Sequence, residues 1–325
     1  MHREPPFCLS SHNAVGSSVR YGLVVIACVM TGCEHKADPL VERLATYNGD
    51  LRAALFDLVR SFPGDNERLL DDDHRVVKLT LKNIPITDAG VEPLAQLNAL
   101  QHLDLSGTQV SDNALASIAA LPSLEELSAV GTSISDAGLD AVGRIRGLKK
   151  LYLFDTDVTS DGLRHLRQLS KLEELHLNGP QIGDTGVRHL KDLPHLRVLW
   201  LVETNVSDRA LVDESIPDSV EELWLDETLV TGFGMQHIAR LQNLTVLSLS
   251  MCSIGDEGTF WFKELRKLRI LMLGGTAITD VGLRRLESVH ALEILSISQT
   301  KVTARGVRKF EANRPDCEVF WSDAP

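Results

Sequence analysis

Side chains that could act in catalysis or metal binding are spread along this chain without forming a recognisable site. The eleven histidines are dispersed, and the five cysteines include no CxxC pair and no Cys/His cluster. His165 and His189 recur at one position of a repeating pattern, which indicates a solvated helix face. There is no P-loop, HExxH or GxSxG motif, and Gly232-Phe233-Gly234 lacks the third glycine of a dinucleotide-binding fingerprint. We therefore expect neither enzymatic activity nor a metal or other cofactor.

The sequence also contains aromatic side chains that could bind a partner. Aromatic residues are sparse, at 5%, but they are locally concentrated. The stretches LWLVETNVSD (199–208) and LWLDETLVTG (223–232) each place a tryptophan between two leucines. A large apolar side chain among leucines is normally part of the core. The elements that carry Trp200 and Trp224 decide whether these side chains are buried or exposed.

Those elements belong to a repeat of 24 residues that covers about three quarters of the chain. Its unit reads L-x-x-L-x-L-x-x-T-x-[IV]-x-D-x-G-L-x-x-L-x-x-L. No single unit can bury its own leucines, so the copies must stack on one another. One strand leucine recurs in ten copies without insertion, and a truncated copy continues the series at Val319: Leu79, Leu103, Leu127, Leu151, Leu175, Leu199, Leu223, Leu247, Leu271 and Leu295.

The unit resembles a leucine-rich repeat, and within that family it is similar to the ribonuclease-inhibitor-like and cysteine-containing subtypes. The pattern and the resemblance predict a curved α/β solenoid of about ten repeats, with a parallel β-sheet on the concave face and short helices on the convex face. We expect the threonine of the unit to bond the backbone of the adjacent coil. The aspartate is expected to be a helix N-cap in seven copies: Asp88, Asp112, Asp136, Asp184, Asp208, Asp256 and Asp280.

The register of the repeat answers the question of the tryptophans. Alternation along a strand puts the two leucines of L-x-L on the buried face and the residue between them on the concave face. Trp200 and Trp224 are therefore predicted to point outward, in one column with Tyr152 and His176 and beside Phe154. Since neighbouring strands are about 4.8 Å apart, the column from Tyr152 to Trp224 spans roughly 14 Å.

The border of this aromatic column is acidic, which favours a protein or peptide partner with Lys or Arg nearby. Aromatic contact area inside a charged rim is typical of a binding site. Glu214 and Pro217 replace leucines in the copy between the two tryptophans, so residues 212–219 are expected to form an irregular coil. An alternative is that the rings stack on one another and shield the sheet, or that a second subunit covers them. The acidic residues are Asp155, Glu174, Glu203, Glu222, Asp226 and Glu227.

We expect replacement of both tryptophans by alanine to leave folding nearly intact and to abolish binding. His176, inside the column, could make a contact depend on pH. The predicted binding residues are Tyr152, Phe154, His176, Trp200, Trp224, Glu203, Asp226 and Glu227.

Residues 1–33 have the features of an export signal. The apolar run 21–31 has 11 residues, fewer than the about 20 needed to cross a bilayer, and it follows the positive charge of Arg20. The sequence Met-Thr-Gly-Cys that ends at Cys33 resembles a bacterial lipobox, which implies cleavage before Cys33 and lipidation of its side chain. An ordinary cleaved signal or a weak N-terminal anchor is the alternative.

The remaining chain divides into two parts. Residues 34–75 contain a polar tether and apolar residues at spacings of three and four, which predict a helical N-terminal cap. Residues 76–325 contain the repeats, with a truncated last copy.

Several smaller features are expected to be structural. The alternation of Glu-Glu pairs with Lys149-Lys150 on neighbouring strands favours the register of the sheet. Phe260 and Trp261 on the convex side are expected to pack beside Phe262, or else to form a second contact surface. Cys252 is expected to be a small buried residue, about 13 Å from Cys317 and too far for a disulfide.

Charge and export together define the predicted class of protein. The excess of Asp+Glu (45) over Lys+Arg (33) argues against nucleic-acid binding. The sequence predicts a non-catalytic repeat protein of a bacterial cell envelope, which binds a protein or peptide and touches the membrane only through a lipid on Cys33. Whether it faces the periplasm or the cell surface stays open. The alternatives are a structural envelope protein that associates with itself through the aromatic column, and a cytosolic adaptor with residues 34–75 as its docking module.

Overall fold

The repeats form one sheet of twelve strands in sequence order, β1 to β12, in a computed structural model that describes residues 68–322. The predicted signal with Cys33, and residues 34–67 of the predicted cap, lie outside the described residues. The strands are β1 Arg68–Leu70, β2 Val76–Thr80, β3 His102–Asp104, β4 Glu126–Ser128, β5 Lys150–Leu153, β6 Glu174–Asn178, β7 Val198–Val202, β8 Glu222–Trp224, β9 Val246–Ser248, β10 Ile270–Met272, β11 Ile294–Ser296 and β12 Glu318–Phe320.

Short helices follow the strands, as the pattern predicts. The α-helices are α1 Asp88–Val91, α2 Asp112–Ile118, α3 Asp136–Val142, α4 Asp184–Val187, α5 Asp208–Val212, α6 Met235–Ile238, α7 Asp256–Thr259, α8 Asp280–Leu286 and α9 Ala304–Asn313. Segments Glu92–Gln96, Gly162–Gln168 and Phe260–Glu264 are 3-10 helices. The predicted solenoid is thus confirmed, with an unclosed sheet.

The core runs the length of the solenoid between the sheet and the helices. In the central coils, Leu175, Leu177, Leu199 and Leu201 are all 0% exposed. Strands β2 to β12 pair in parallel, and each strand leucine lies beside the equivalent residue of the next copy. This register fixes which side chains face the core and which lie on the opposite, concave face of the sheet.

The two ends of the solenoid are closed differently. Strand β1, within the segment 34–75, pairs antiparallel with β2 across a turn in which Arg75 N donates to Asp71 Oδ1 at 2.8 Å. At the other end Arg314 is buried, 7% exposed, and its guanidinium donates to the carbonyls of Val289 and Leu292 at 2.8 and 2.9 Å. It thereby satisfies backbone acceptors of the last coil.

The repeated aspartates are not the helix N-caps that the sequence predicts. Each is the first residue of its helix, and the cap position before it is held by a residue such as Ser207 or Thr279. The Asp184 carboxylate accepts hydrogen bonds from Ser207 N at 2.8 Å and Ser207 Oγ at 2.7 Å, in the next coil. Asp208 accepts the same pair from Thr231. These aspartate clasps join successive coils, which a pattern read one copy at a time cannot reveal.

The repeated threonines also bond differently from the expectation. Thr204 Oγ1 donates to Leu201 O at 2.8 Å, three residues earlier in its own coil, and not to the adjacent coil. Thr108 does the same to Leu105 O at 2.6 Å. The hydroxyl therefore holds the bend that follows the strand from within the coil.

The features expected to be structural are confirmed in most details. Lys149 pairs with Glu125 at 2.9 Å and Lys150 with Glu174 at 3.2 Å. Cys252 and Cys317 are both buried and free. Phe262 is 0% exposed, whereas Phe260 is 45% exposed, contacts Trp261 edge-on at 5.2 Å and lies under the Lys263 ammonium.

The copy between the two tryptophans is irregular, as predicted. Helix α5 ends at Val212, and residues 213–220 continue as turns with no further helix. Ser215, Ile216 and Pro217 are buried, so this coil still fills the space that leucines fill elsewhere.

Candidate binding site on the concave face

The four predicted ring residues form a ladder across strands β5 to β8. The pairing aligns Tyr152 with His176, His176 with Trp200, and Trp200 with Trp224. Each is the middle residue of an L-x-L segment, so its side chain leaves the sheet on the face opposite the leucines. We call these four residues, together with Phe154, the aromatic ladder.

The rings of the ladder are in direct contact. The Trp200 ring stacks on Trp224 with centroids 4.2 Å apart and on His176 at 4.7 Å. Tyr152 meets His176 edge-on at 4.7 Å. Phe154 lies against His176 at 5.5 Å and against Trp200 at 5.9 Å. Since both faces of the Trp200 indole are covered by neighbouring rings, a partner reaches its edge and not its faces.

Trp224 departs from the expectation of an outward, accessible side chain. It lies on the predicted face, but its stack with Trp200 and the crowding of neighbours leave it only 7% exposed. Within the described residues its Nε1 has no hydrogen-bond partner. Tyr152, Phe154, His176 and Trp200 are half-buried. The accessible part of the ladder is therefore its Tyr152–Trp200 portion.

A close contact with a carboxylate supports His176 from the side of the sheet. His176 Nε2 lies 2.8 Å from Glu174 Oε1, a contact by distance without hydrogen-bond angles. His176, and after it Lys150, lower the pKa of Glu174 to about 2. Burial, and then the nearby carboxylates, raise the pKa of the Tyr152 hydroxyl. Glu174 is thus a fixed negative charge beside the ladder.

The other carboxylates of the border repel one another. Burial first, then Glu227 and Asp155, raise the pKa of Glu203. Burial also raises the pKa of Asp226, whose Oδ1 accepts from Ser248 Oγ at 2.5 Å and from Ser250 N at 2.9 Å. Crowded negative charges of this kind favour a positively charged neighbour.

Burial and the charge of Glu174 likewise raise the pKa of Glu222. Asp155, at the far side of the border, is held by Asn178, whose Oδ1 accepts from Asp155 N at 2.7 Å. The border therefore consists of one carboxylate with a close cationic partner, Glu174, and several without one among the described residues.

Glu203 and Glu227 occupy a backbone position that favours glycine, a feature that the sequence reasoning missed. Their φ angles are +58° and +56°, in the left-handed region. The equivalent residues of four other coils are glycines with positive φ: Gly107, Gly131, Gly179 and Gly275. The remaining four copies have non-glycine residues with positive φ there, Asn83, Asp155, Met251 and Gln299, so the residue types alone do not reveal this conformation. The backbone thus holds three carboxylates of the border, those of Asp155, Glu203 and Glu227, at a strained position beside the ladder.

A shallow cavity of about 300 Å³ lies on the same face beside the ladder, and it too was not predicted. It extends from β2 to β5, and Tyr152 belongs both to its wall and to the ladder. Lys78 and Lys82, with Asp104 and Glu126, give it two charges of each sign. The recessed surface therefore continues beyond the aromatic rings.

The part of the chain that the structure describes has neither a metal-binding cluster nor a membrane-spanning helix. Residues 68–322 contain no group of three or more His, Cys, Asp or Glu side chains placed to hold a metal ion. Over the same residues, no helix combines the length and apolar character needed to span a membrane.

The geometry defines a repeat solenoid with an aromatic and acidic surface on its open sheet. The family model described as "Leucine Rich repeat" matches residues 96–119, 168–191 and 240–259. Together with the fold, these matches show a solenoid of leucine-rich repeats. A comparison with curated proteins gives no match.

Solved structures share the fold at low sequence identity. Internalin C2 of Listeria monocytogenes is 21% identical over 73% of this chain and 93% of its own, with a TM-score of 0.51. The ectodomain of the Arabidopsis thaliana membrane receptor kinase GASSHO1/SCHENGEN3, solved in complex with CASPARIAN STRIP INTEGRITY FACTOR 2, is 17% identical over 81% of this chain and 32% of its own, with a TM-score of 0.50. At these identities the likeness shows the fold alone.

Proposed function

We propose that this chain is a non-catalytic binding protein that holds a basic segment of a protein or peptide against the aromatic ladder. It is exported to the envelope of a bacterium and attached to the membrane by a lipid on Cys33. The observation that carries the binding proposal is the continuous ring ladder on an open sheet face, bordered by carboxylates. Among these, Glu203 has a pKa raised by burial first and then by the charges of Glu227 and Asp155.

The accessibility of each side chain determines its role in the proposed binding. Because Trp200 is stacked on both faces, the partner packs against ring edges and against Tyr152 and Phe154, which are half-buried. A Lys or Arg side chain of the partner lies between Glu203 and Glu227, where it relieves their repulsion. Trp224 supports the ladder from below and makes little direct contact.

Self-association through the same surface is the second candidate, and charge disfavours it. Two copies facing each other would bring two acidic borders together, in a chain whose formal net charge is already −12. Sedimentation equilibrium separates the cases. A monomer at micromolar concentration agrees with a free binding face, and a dimer that Trp200→Ala disrupts would support self-association.

A cytosolic adaptor is the third candidate, and it is incompatible with the proposed export. Labelling of cells with a radioactive fatty acid should tag the wild-type protein and leave Cys33→Ser unlabelled. Absence of label from both would contradict the lipid anchor and leave the binding proposal for a separate test.

An affinity pull-down tests the binding proposal. Full-length protein should retain a partner from envelope extract, and Glu203→Gln with Glu227→Gln should retain at least about tenfold less, the loss of about 1.4 kcal/mol. The matched control, Asp192→Asn with Glu311→Gln, removes the same charge from exposed acids outside the border and should bind normally. Equal retention by both double variants would contradict the proposal.

A further inference from the structure

Three exposed apolar side chains lie where the chain turns from strands β8 and β9 towards the helices. Phe233 is 79% exposed, Leu229 58% and Met251 51%. Single exposed apolar residues are ordinary, but a group of them indicates contact with another molecule. We call these three residues the edge cluster.

The register makes Leu229 and Met251 of the edge cluster continuous with the acidic border. Met251 is the equivalent of Glu227 in the next copy and has the same left-handed conformation, so it occupies the same turn one coil later. Leu229 is two residues after Glu227, with the buried Thr228 between them. The extended segment after the strand pairs Leu229 with Ser207 of the coil before it. Glu227 is thus flanked by both apolar residues.

The Gly232-Phe233-Gly234 turn presents its phenylalanine outward. Gly232 stands where seven other copies have the clasp aspartate, so this coil lacks that side chain. A Cβ atom on Gly232 would lie 2.6 Å from Glu257 Oε1, and one on Gly234 would lie 2.4 Å from Asp208 Oδ1. Phe233 N donates to Thr231 Oγ1 at 3.2 Å, which holds the turn. Gly234 has helical dihedral angles, φ −66° and ψ −24°, and the phenylalanine before it is left in solvent.

We propose that the binding surface extends from the aromatic ladder, across Glu203 and Glu227, onto the edge cluster, and that the partner is a basic amphipathic segment. This inference rests on the proposed function of the concave face. Basic side chains of the segment meet the carboxylates, and its apolar side chains cover Leu229, Phe233 and Met251. A second copy of this chain and an anionic membrane both fit less well, because the carboxylates of the border would repel them.

Two synthetic peptides of equal length, each long enough for several helical turns, test this inference against the full-length protein. Both consist of Leu and Lys in equal number; one has the leucines at helical spacing and the other has a scrambled order. Fluorescence anisotropy of labelled peptide should give at least about tenfold tighter binding of the amphipathic peptide. Phe233→Ser should abolish that preference and leave the weaker binding of the scrambled peptide unchanged.

Val281→Ser is the matched control, because Val281 occupies the same place in the repeat two coils later and is 47% exposed. It should bind both peptides like the wild type. Circular dichroism melting of Phe233→Ser should match the wild type, since an exposed side chain adds little to folding.

The outcomes separate this inference from the proposed function. The inference is overturned if the wild type binds the two peptides equally, or if Phe233→Ser keeps the preference of the wild type. It is overturned alone, without the proposed function, if Glu203→Gln with Glu227→Gln still weakens the binding of both peptides. Failure of the wild type to bind either peptide at millimolar concentration overturns both. Binding of the protein to phosphatidylcholine vesicles that Phe233→Ser abolishes would overturn the inference by assigning the edge cluster to a lipid surface.

Discussion

Glu203 and Glu227 concentrate the unusual chemistry of this chain at single residues. Each combines a left-handed backbone with a carboxylate beside other carboxylates, and burial raises the pKa of Glu203 further. Neither feature helps the chain to fold, since the left-handed conformation is unfavourable for a residue with a Cβ atom, and glycine holds this position in four other coils. Residues that oppose folding and yet stand in a row beside an aromatic surface are expected where function outweighs stability.

Glu203→Gly should therefore stabilise the protein. Relief of the left-handed conformation contributes about 1–2 kcal/mol, and the greater freedom of glycine in the unfolded chain returns about 0.5–1 kcal/mol of it. The control Gln299→Gly relieves the same conformation without removing a charge. Urea denaturation at pH 7 should show a larger gain for Glu203→Gly. A loss of stability in Glu203→Gly would contradict the assignment of strain and repulsion.

Glu203 and Glu174 should respond to pH with opposite signs. Because the pKa of Glu203 is raised in the folded protein, the free energy of unfolding falls as the pH rises from the ordinary glutamate pKa, 4.5, through the raised pKa. Glu203→Gln removes this loss and should be more stable than the wild type at pH 7. The lowered pKa of Glu174, about 2, adds stability above 4.5 that is lost as pH falls towards 2.

Glu174→Gln should accordingly be less stable at pH 7 by about 1–3 kcal/mol, and the difference should fade as the pH falls. Denaturation of the wild type and both variants between pH 2 and pH 8 measures these effects. If both variants changed the free energy of unfolding in the same direction at pH 7, the described charges would not be what shifts the pKa values of the two carboxylates.

At the scale of strands and helices, the constant period of the repeat was sufficient to predict the sheet, its register and the face of each side chain. It was not sufficient for contacts between coils, because a repeat pattern describes one copy and the clasps and ring stacks join two. Asp184 matches an N-cap in sequence but bonds Ser207 of the next coil. Trp224 was placed on the correct face, yet its stack with Trp200 removes it from solvent.

Trp224→Ala should destabilise the protein by about 3–5 kcal/mol, because loss of the 7% exposed ring leaves a cavity in the ladder. This reverses the expectation that both tryptophans can be removed with folding nearly intact. Trp200→Ala, at a half-buried ring, should lose less. Chemical denaturation measures both, and equal small losses would show that the ladder does not contribute to folding.

Asp184→Ala tests the aspartate clasp. It removes two charge-assisted hydrogen bonds to Ser207 and should cost about 2 kcal/mol. Asp192→Ala, at an exposed residue, is the control and should change stability by less than about 0.5 kcal/mol. Hydrogen exchange should rise mainly in the coils of β6 and β7, since each coil contacts only its neighbours. Uniform exchange along the solenoid would argue against a local joint.

At the scale of the whole molecule, the solenoid separates folding from recognition. Its core is repeated leucine, whereas the ladder, the acidic border and the edge cluster are departures from the repeat within the coils of β5 to β9. The sequence could indicate the ladder and the border, because a register assigns each residue to a face. It could not indicate the strained turns or the exposure of Phe233, which depend on backbone conformation and on neighbouring coils.

The central claim is that a partner covers the ladder and its border, and carboxyl footprinting of the complex tests it most directly. The partner retained in the pull-down is bound to full-length protein, exposed carboxylates are labelled with a carbodiimide and an amine, and the labelled peptides are quantified. Glu203 and Glu227 should be labelled several-fold less in the complex than in the free protein, and Glu311 equally in both. Unchanged labelling of Glu203 and Glu227, with protection elsewhere, would place the binding site on another surface.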